Sequence, residues 1–313
     1  MLSLVLGGCC TNVWAYERLL RIESRVGSAL TFSQMLFITL QQLPSFITWK
    51  PSSGLLPRLK PRQVPLSQWL LQVVVLATGS LFNNWVYAFH VPLTIQIVFR
   101  SAGLAVSMLF GRFFMHKRYS IQQVTAVLLV SIGVVVATLS RPPSTDQSTD
   151  DLFEYALGVT MLTVSLALTG TLGMLQERTY QKYGPCWKEG VFYTHALSLP
   201  VFLFLIPQVK HGLGSLSEKS GSVVPMPYVI LAANLVSQLV CVSGVNQLSS
   251  RVSSVSTQVV LTTRKAISLC FSVWWFGNGW NGQLGLGAGM VFVGSFWYTQ
   301  IDADGRTGAG KKD

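Results

Sequence analysis

Acidic side chains are scarce. The 313-residue chain has twelve Asp and Glu against twenty-three Lys and Arg, and charged residues of either sign make up only 11%. A soluble domain carries about 25% charged residues, so this shortage argues against an ordinary globular enzyme and implies a polytopic membrane protein. A net charge of +11 would suggest nucleic-acid binding in a soluble chain. Here the Lys and Arg cluster in short loops between apolar runs, as orientation signals do, and no nucleic-acid partner is expected. Cysteine is sparse too. The five (Cys9, Cys10, Cys186, Cys241, Cys270) show no CxxC spacing and no even framework, and most lie in apolar runs. That pattern predicts small packing residues rather than disulfides or metal ligands. The four histidines are scattered, without HExxH or H-x-E spacing, so no metal site is expected. The glycine-rich stretch 285–294 lacks the GK[ST] ending of a phosphate loop, and no nucleophile elbow is present. Neither ATP drive, nor covalent catalysis, nor a cofactor is expected.

What the chain has in abundance is long apolar runs. A span needs about 20 mostly apolar residues. Ten candidates appear, at roughly 1–16, 27–48, 68–89, 91–115, 120–140, 153–176, 190–208, 225–247, 253–276 and 284–300. The run 1–16 has no basic region before it and no A-x-A cleavage site, so it reads as a short first span and not a signal peptide. The fold class is all-α, with ten transmembrane helices. The polar stretch 141–151 divides a first five-helix repeat (1–140) from a second (152–300), and 301–313 forms a tail. With both termini in the cytosol, about fourteen Lys and Arg fall in cytosolic loops and about six opposite, which is the expected bias. All twelve acids are expected in loops or tails.

The halves resemble each other. Glu17-Arg18 is answered by Glu177-Arg178, Thr31-Phe32-Ser33-Gln34 by Phe192-Tyr193-Thr194-His195, Asn83-Asn84 by Asn246-Gln247, and Arg100 by Arg264-Lys265, each about 160–165 residues on. An odd number of spans per half inverts the second copy. Inverted repeats around a midplane binding site are a recurring transporter plan.

Three cations stand inside spans. Arg100 lies midway through 91–115, and Arg264-Lys265 midway through 253–276. A charge at the bilayer centre costs roughly 2.5–3.5 kcal/mol on insertion scales. Gly103, Ser107 and Gly111 follow Arg100 at helical spacing, and Ser268 and Ser272 follow Lys265. Both cations therefore share a face with small residues that admit neighbouring helices. An exchangeable anion is one partner for them, and backbone carbonyls at a broken helix are another. The Arg fork suits a diphosphate, and Lys acts as a point charge. Gln34, Asn83, Asn84, Tyr87, Tyr193, His195, Asn234 and Gln238 offer orienting contacts to a base or sugar, or hydrogen bonds between helices. A cationic site is costly to leave empty, which favours exchange of one anion for another.

Several blocks now resemble a known family. Asn83-Asn84, Ile97-Val98-Phe99-Arg100-Ser101, Lys117-Arg118-Tyr119-Ser120, Phe192-Tyr193-Thr194-His195-Ala196-Leu197-Ser198-Leu199-Pro200 and Thr263-Arg264-Lys265 resemble the nucleotide-sugar transporters of the drug/metabolite transporter superfamily. Gly7-Gly8-Cys9-Cys10-Thr11-Asn12-Val13 and Thr31-Phe32-Ser33-Gln34 are similar to the solute carrier family 35 subfamily B branch carrying UDP-xylose and UDP-N-acetylglucosamine. The resemblance implies a 5+5 inverted repeat and a Golgi or endoplasmic reticulum membrane. It also implies exchange of a cytosolic UDP-sugar for lumenal UMP. Lys265 falls at the ninth-span Lys these transporters keep near the phosphates and sugar, and Tyr193 at the Tyr of a seventh-span Phe-Tyr-Asn-Asn motif. That motif's two Asn, which concern guanine, are Thr194 and His195 here, a departure that suits UDP. The substrate-binding candidates are thus Arg100, Arg264, Lys265, Tyr193, His195, Asn83, Asn84, Gln34 and Gln238. A lipid bilayer is the expected surrounding, and a homo-oligomer is compatible with the sequence. The terminal Lys311-Lys312-Asp313 places its lysines one position too near the end for a dilysine retrieval signal, so a Golgi membrane is the first expectation and the endoplasmic reticulum the second.

Overall fold

The computed structural model describes residues 2–23, 26–48, 58–86, 102–139, 152–218, 226–276 and 282–309. The described residues are all-α apart from one two-stranded ribbon. In order come α1 (Leu2–Ile22), α2 (Gly27–Phe46), β1 (Ile47–Thr48), β2 (Arg58–Leu59), α3 (Leu66–Trp85), α4 (Gly103–Phe114) and α5 (Ile121–Leu139). The second half holds α6 (Leu152–Tyr183), α7 (Trp187–Ser198), a 3-10 segment (Leu199–Leu205), α8 (Ile206–Glu218), α9 (Met226–Ser249), α10 (Ser254–Phe276) and α11 (Gly282–Ala309). Three helical stretches among the described residues are long and apolar enough to cross a bilayer: Ala156–Tyr183, Trp187–Ser217 and Met226–Ser249.

Local signals explain most boundaries. Ser120 and Gln123 form a reciprocal capping box at the start of α5, with Ser120 N donating to Gln123 Oε1 at 3.0 Å and Gln123 N to Ser120 Oγ at 3.2 Å. Gly184, at φ +82°, ends α6 in the left-handed conformation that glycine adopts cheaply, and Pro185 follows. Pro200 lacks the N–H that an α-helix needs, so the seventh span tightens there into a 3-10 turn and resumes as α8.

Two expectations need correction. The first helix does not stop at residue 16 but runs 21 residues to Ile22. Its polar end stays helical because Arg21 and Glu17 pair one turn apart at 3.3 Å. Nor do all the acids lie in loops or tails. Glu177 and Glu189 sit within α6 and α7 and are each only 6% exposed, held in by hydrogen bonds that replace water.

The chain forms two compact units, Met1–Val73 with Arg178–Arg251, and Val74–Glu177 with Val252–Asp313. In the first, α1 lies along α9 and α2 packs on α7, α8 and α9. In lipid, apolar burial does little to drive helices together, so close packing and hydrogen bonds must. A Cβ on Gly8 would come within 2.7 Å of Val240, and one on Gly244 within 3.1 Å of Val5. These glycines let α1 and α9 touch backbone to backbone.

Cys9 and Cys241 are joined in a disulfide across the same pair of helices, their Cα atoms 4.6 Å apart. The expectation that both cysteines only pack is overturned here. Close approach brings residues 232 positions apart into bonding range, and no local spacing announces it. Leu19, Leu30 and Leu216 make one core of this unit. Val64, Trp69, Tyr180, Phe192 and Tyr193 make another.

In the second unit, α11 packs along α5, and α10 on α4 and α11. A Cβ on Gly133 would lie 2.8 Å from the Gly287 carbonyl, and one on Gly294 2.8 Å from Val130, so small residues again set the spacing. Leu104, Val127, Val130, Val259, Val291 and Tyr298 fill the centre. The outward faces expose Phe113, Ile121, Leu286 and Phe296, a surface suited to lipid and not to water.

Candidate functional site

In the second unit the candidate cations sit on α10. The Thr263 hydroxyl donates to the Val259 carbonyl at 2.9 Å and accepts from the Ser295 hydroxyl at 2.7 Å, tying α10 to α11 one residue before Arg264. Thr262 is buried, Arg264 is half-buried with its Nε shielded from solvent, and Lys265 is exposed on its unit. The helix turns about 100° per residue, so the two cations leave the anchored face in succession. Arg100 and Tyr87 lie outside the described residues. Asn83 and Asn84 belong to the last turn of α3, and their side chains are also outside them.

One end of this unit is built on Glu177. Its carboxylate takes the Lys117 ammonium and, at 3.0 Å, the Ser254 N–H at the start of α10. Ser256 donates to Asp302 at 3.1 Å, joining α10 to α11. Tyr119 lies nearby, and burial pushes its phenol well above the usual range, helped by Tyr298, Glu177 and Asp302. A crevice of about 90 Å³, lined in part by Ser80, Ser165 and Thr169, holds none of the candidates.

The first unit gathers polar groups in two places. Gln34 donates to Asn234 Oδ1 at 2.7 Å, while Asn12 and Asn234 each donate their amide to the other's backbone carbonyl at 3.0 and 3.3 Å. Asn234 is fully buried, so these bonds replace water that would otherwise be lost at a cost of several kcal/mol. Gln238, one turn further, is half-buried and has no hydrogen-bond partner among the described residues. The second place is α7. His195 donates through Nδ1 to the Val191 carbonyl at 2.7 Å, leaving Nε2 as its other nitrogen. Tyr193 is 7% exposed, its ring packed edge-on to Phe46 and Phe192 at 6.2 and 5.0 Å between centroids.

Three participants escaped the sequence reading. Asn12 lay inside a quoted motif, but nothing local marks it as the partner of Asn234. Glu189 reads from sequence as a loop acid. Its carboxylate accepts the Gln63 and Val64 N–H groups at 3.0 and 3.1 Å and Trp69 Nε1 at 3.3 Å. Arg62 reads from sequence as an orientation charge, and its guanidinium lies over the Tyr193 ring at 6.0 Å.

The second unit thus holds candidate cations, and the first holds candidate amides and aromatic rings, groups that bind rather than react. A family model, the UAA transporter family, matches residues 1–302. The chain belongs to the UAA transporter family. It is 34% identical to the "UDP-N-acetylglucosamine transporter yea4" of Schizosaccharomyces pombe, covering 100% of this chain and 98% of that one. It is 31% identical to the "UDP-xylose and UDP-N-acetylglucosamine transporter" of Danio rerio and 33% identical to the human "Nucleotide sugar transporter SLC35B4", each over 96% of this chain and 92% of the relative. A solved crystal structure with 15% identity superposes with a TM-score of 0.62 over 96% of this chain and 97% of its own, a likeness of fold. As a UAA transporter family member, the chain is a multi-pass membrane protein and not an enzyme.

Proposed function

We propose that this chain exchanges a UDP-sugar, UDP-N-acetylglucosamine or UDP-xylose, for UMP across a Golgi membrane. The observation that carries the reading is the likeness over the whole chain to relatives named for those substrates, joined to a pair of cations midway along α10. Arg264, Lys265 and Arg100 would hold phosphate, the Arg forks bidentately and the Lys as a point charge. Tyr193, His195, Asn83, Asn84, Gln34 and Gln238 would sort base and sugar. Gln34 would act through Asn234, which it already holds.

The 5+5 inverted repeat is part of the proposal. Numbering the spans one to ten, the pairings two with seven, four with nine and five with ten each map onto themselves under a shift of five. The pairing of one with eight maps onto three with six, where Ser165 donates to the Gly79 carbonyl at 2.8 Å. That self-consistency supports an inverted repeat, with alternating access across a midplane site. No covalent step is asked of the protein. A cationic site returns more easily loaded than bare, so UMP going back out completes the cycle.

Reconstitution tests the reading. Liposomes loaded with UMP should take up labelled UDP-N-acetylglucosamine or UDP-xylose, and should not take up GDP-mannose. Uptake that ignores internal UMP would remove the exchange, and no uptake of any UDP-sugar would remove the substrate class. A Golgi pattern on cell fractionation tests the compartment against the endoplasmic reticulum.

A further inference from the structure

We propose that Arg62 is a further substrate-contacting cation, held ready by Glu189 to take the phosphates of the nucleotide. The inference rests on the transport reading above for the identity of that nucleotide. Its geometry stands by itself.

Arg62 lies between two anchors. On one side, Lys60 N donates to the Phe46 carbonyl at 2.8 Å and Lys60 Nζ to the Ser45 carbonyl at 2.6 Å, just past the β1–β2 pairing of Thr48 with Arg58. On the other, Glu189 gathers the next two backbone N–H groups and the Trp69 indole. Val64 and Trp69 are each 1% exposed, so this anchor is a buried one. Glu189 stands one helical turn before Tyr193 on α7. The carboxylate that fixes the segment and the ring that receives Arg62 therefore share a helix face. Arg62 is thus fixed where many loop arginines swing freely, and less rotamer freedom is lost when it binds.

Its partner is a ring and not an acid. A guanidinium over an aromatic face keeps its N–H donors in its own plane, pointing away from the ring. Among the described residues no carboxylate pairs with Arg62, and the Glu189 carboxylate is taken by three other donors. The Tyr193 ring packs against Phe46 and Phe192, and its hydroxyl has no hydrogen-bond partner among the described residues. An exposed fork and an unpartnered hydroxyl meet at one ring. A nucleoside phosphate satisfies both, its charge on Arg62 and a polar atom on Tyr193. Glu189 is a positioning residue in this scheme, since it acts through the segment it holds.

The test uses the full chain in liposomes of neutral lipid, so that no anionic headgroup competes. Initial uptake of UDP-N-acetylglucosamine should show KM raised about five- to tenfold in Arg62→Gln, with the maximal rate within about twofold of the unaltered protein. Arg62→Lys should fall between, keeping charge without the fork. Glu189→Gln keeps one acceptor oxygen and should raise KM in the same direction by less. Added salt should raise KM of the unaltered protein more than that of Arg62→Gln, because an exposed charge is screened and a packing role is not. Equal KM and equal salt dependence would sink the role of Arg62 alone. Heat stabilisation of the detergent-solubilised protein by UDP-N-acetylglucosamine separates the remaining outcomes. Stabilisation weakened by Arg62→Gln, without uptake by either protein, keeps Arg62 as an anion contact and overturns transport. Neither stabilisation nor uptake overturns both.

Discussion

At Lys265 the energetics of folding and of function pull in opposite directions. A cation midway along a span costs roughly 2.5–3.5 kcal/mol on insertion scales, so its removal should leave folding intact or favour it. Lys265→Ala is therefore expected to lower UDP-sugar uptake at least tenfold with protein level and localisation unchanged, measured by transport assay beside immunoblot. Full transport with the Ala variant would remove the phosphate role. A second residue responds to pH. Cys186, in the turn between α6 and α7, has its thiol pushed up to about 11, first by burial and then by the Glu189 carboxylate nearby. The thiolate is the nucleophile, and a raised value leaves little of it at neutral pH. In a protein with Cys10 and Cys270 replaced by serine, maleimide labelling of Cys186 should be slow at pH 7. It should rise about tenfold per pH unit and level off only near the shifted value. Fast labelling at pH 7 would contradict that environment.

Among the elements, the joint at Glu177 is the most exposed to a single change. Three pieces of chain meet there, α6 through the acid itself, the segment before α5 through Lys117, and the start of α10 through Ser254. Removing one partner of a buried pair costs about 3–5 kcal/mol. Lys117 keeps 24% of its side chain exposed, which places Glu177→Ala towards the low end. A lower melting temperature in detergent, with Glu177→Gln losing less, is the expected result, and an unchanged melt would count against the joint. The α5–α11 seam gives a separate prediction. A side chain at Gly133 meets the Gly287 carbonyl, which is backbone and cannot swing aside. Gly133→Val should therefore destabilise by about 1–3 kcal/mol, read from the same melt.

The apolar runs made the helices legible, because a bilayer demands length and hydropathy and both are local. The joints were not legible. Glu177, Glu189 and Asn12 find partners 60 to 222 residues away, and no window of sequence contains both members of such a pair. The same holds for the candidate cations. Arg264 and Lys265 stand out alone as charges in an apolar run, whereas Arg62 reads as one more loop cation, and only the fold sets it over Tyr193.

For the whole molecule, packing does not follow the chain's two halves. The first compact unit takes α1 and α2 from before the linker 141–151 and α7, α8 and α9 from after it. Within it, α1 and α9 are held by close backbone approach, by the Asn12–Asn234 exchange, and by the bond between Cys9 and Cys241. Each half therefore lacks the partner for its own helices, and each should find that partner in the other half even when the connection is cut. Co-expressed fragments 1–145 and 146–313 are expected to assemble, because helices that insert independently can still associate by packing and interhelical hydrogen bonds. On a non-reducing denaturing gel they should run together at the position of the intact chain, and separate on adding reductant. Cys9→Ser should abolish the linked band while leaving co-purification in mild detergent, since the asparagine exchange and the glycine contacts remain. Fragments that never co-purify would mean that the linker, rather than the α1–α9 seam, holds the halves together. Co-purification without a linked band would leave the seam and remove the disulfide.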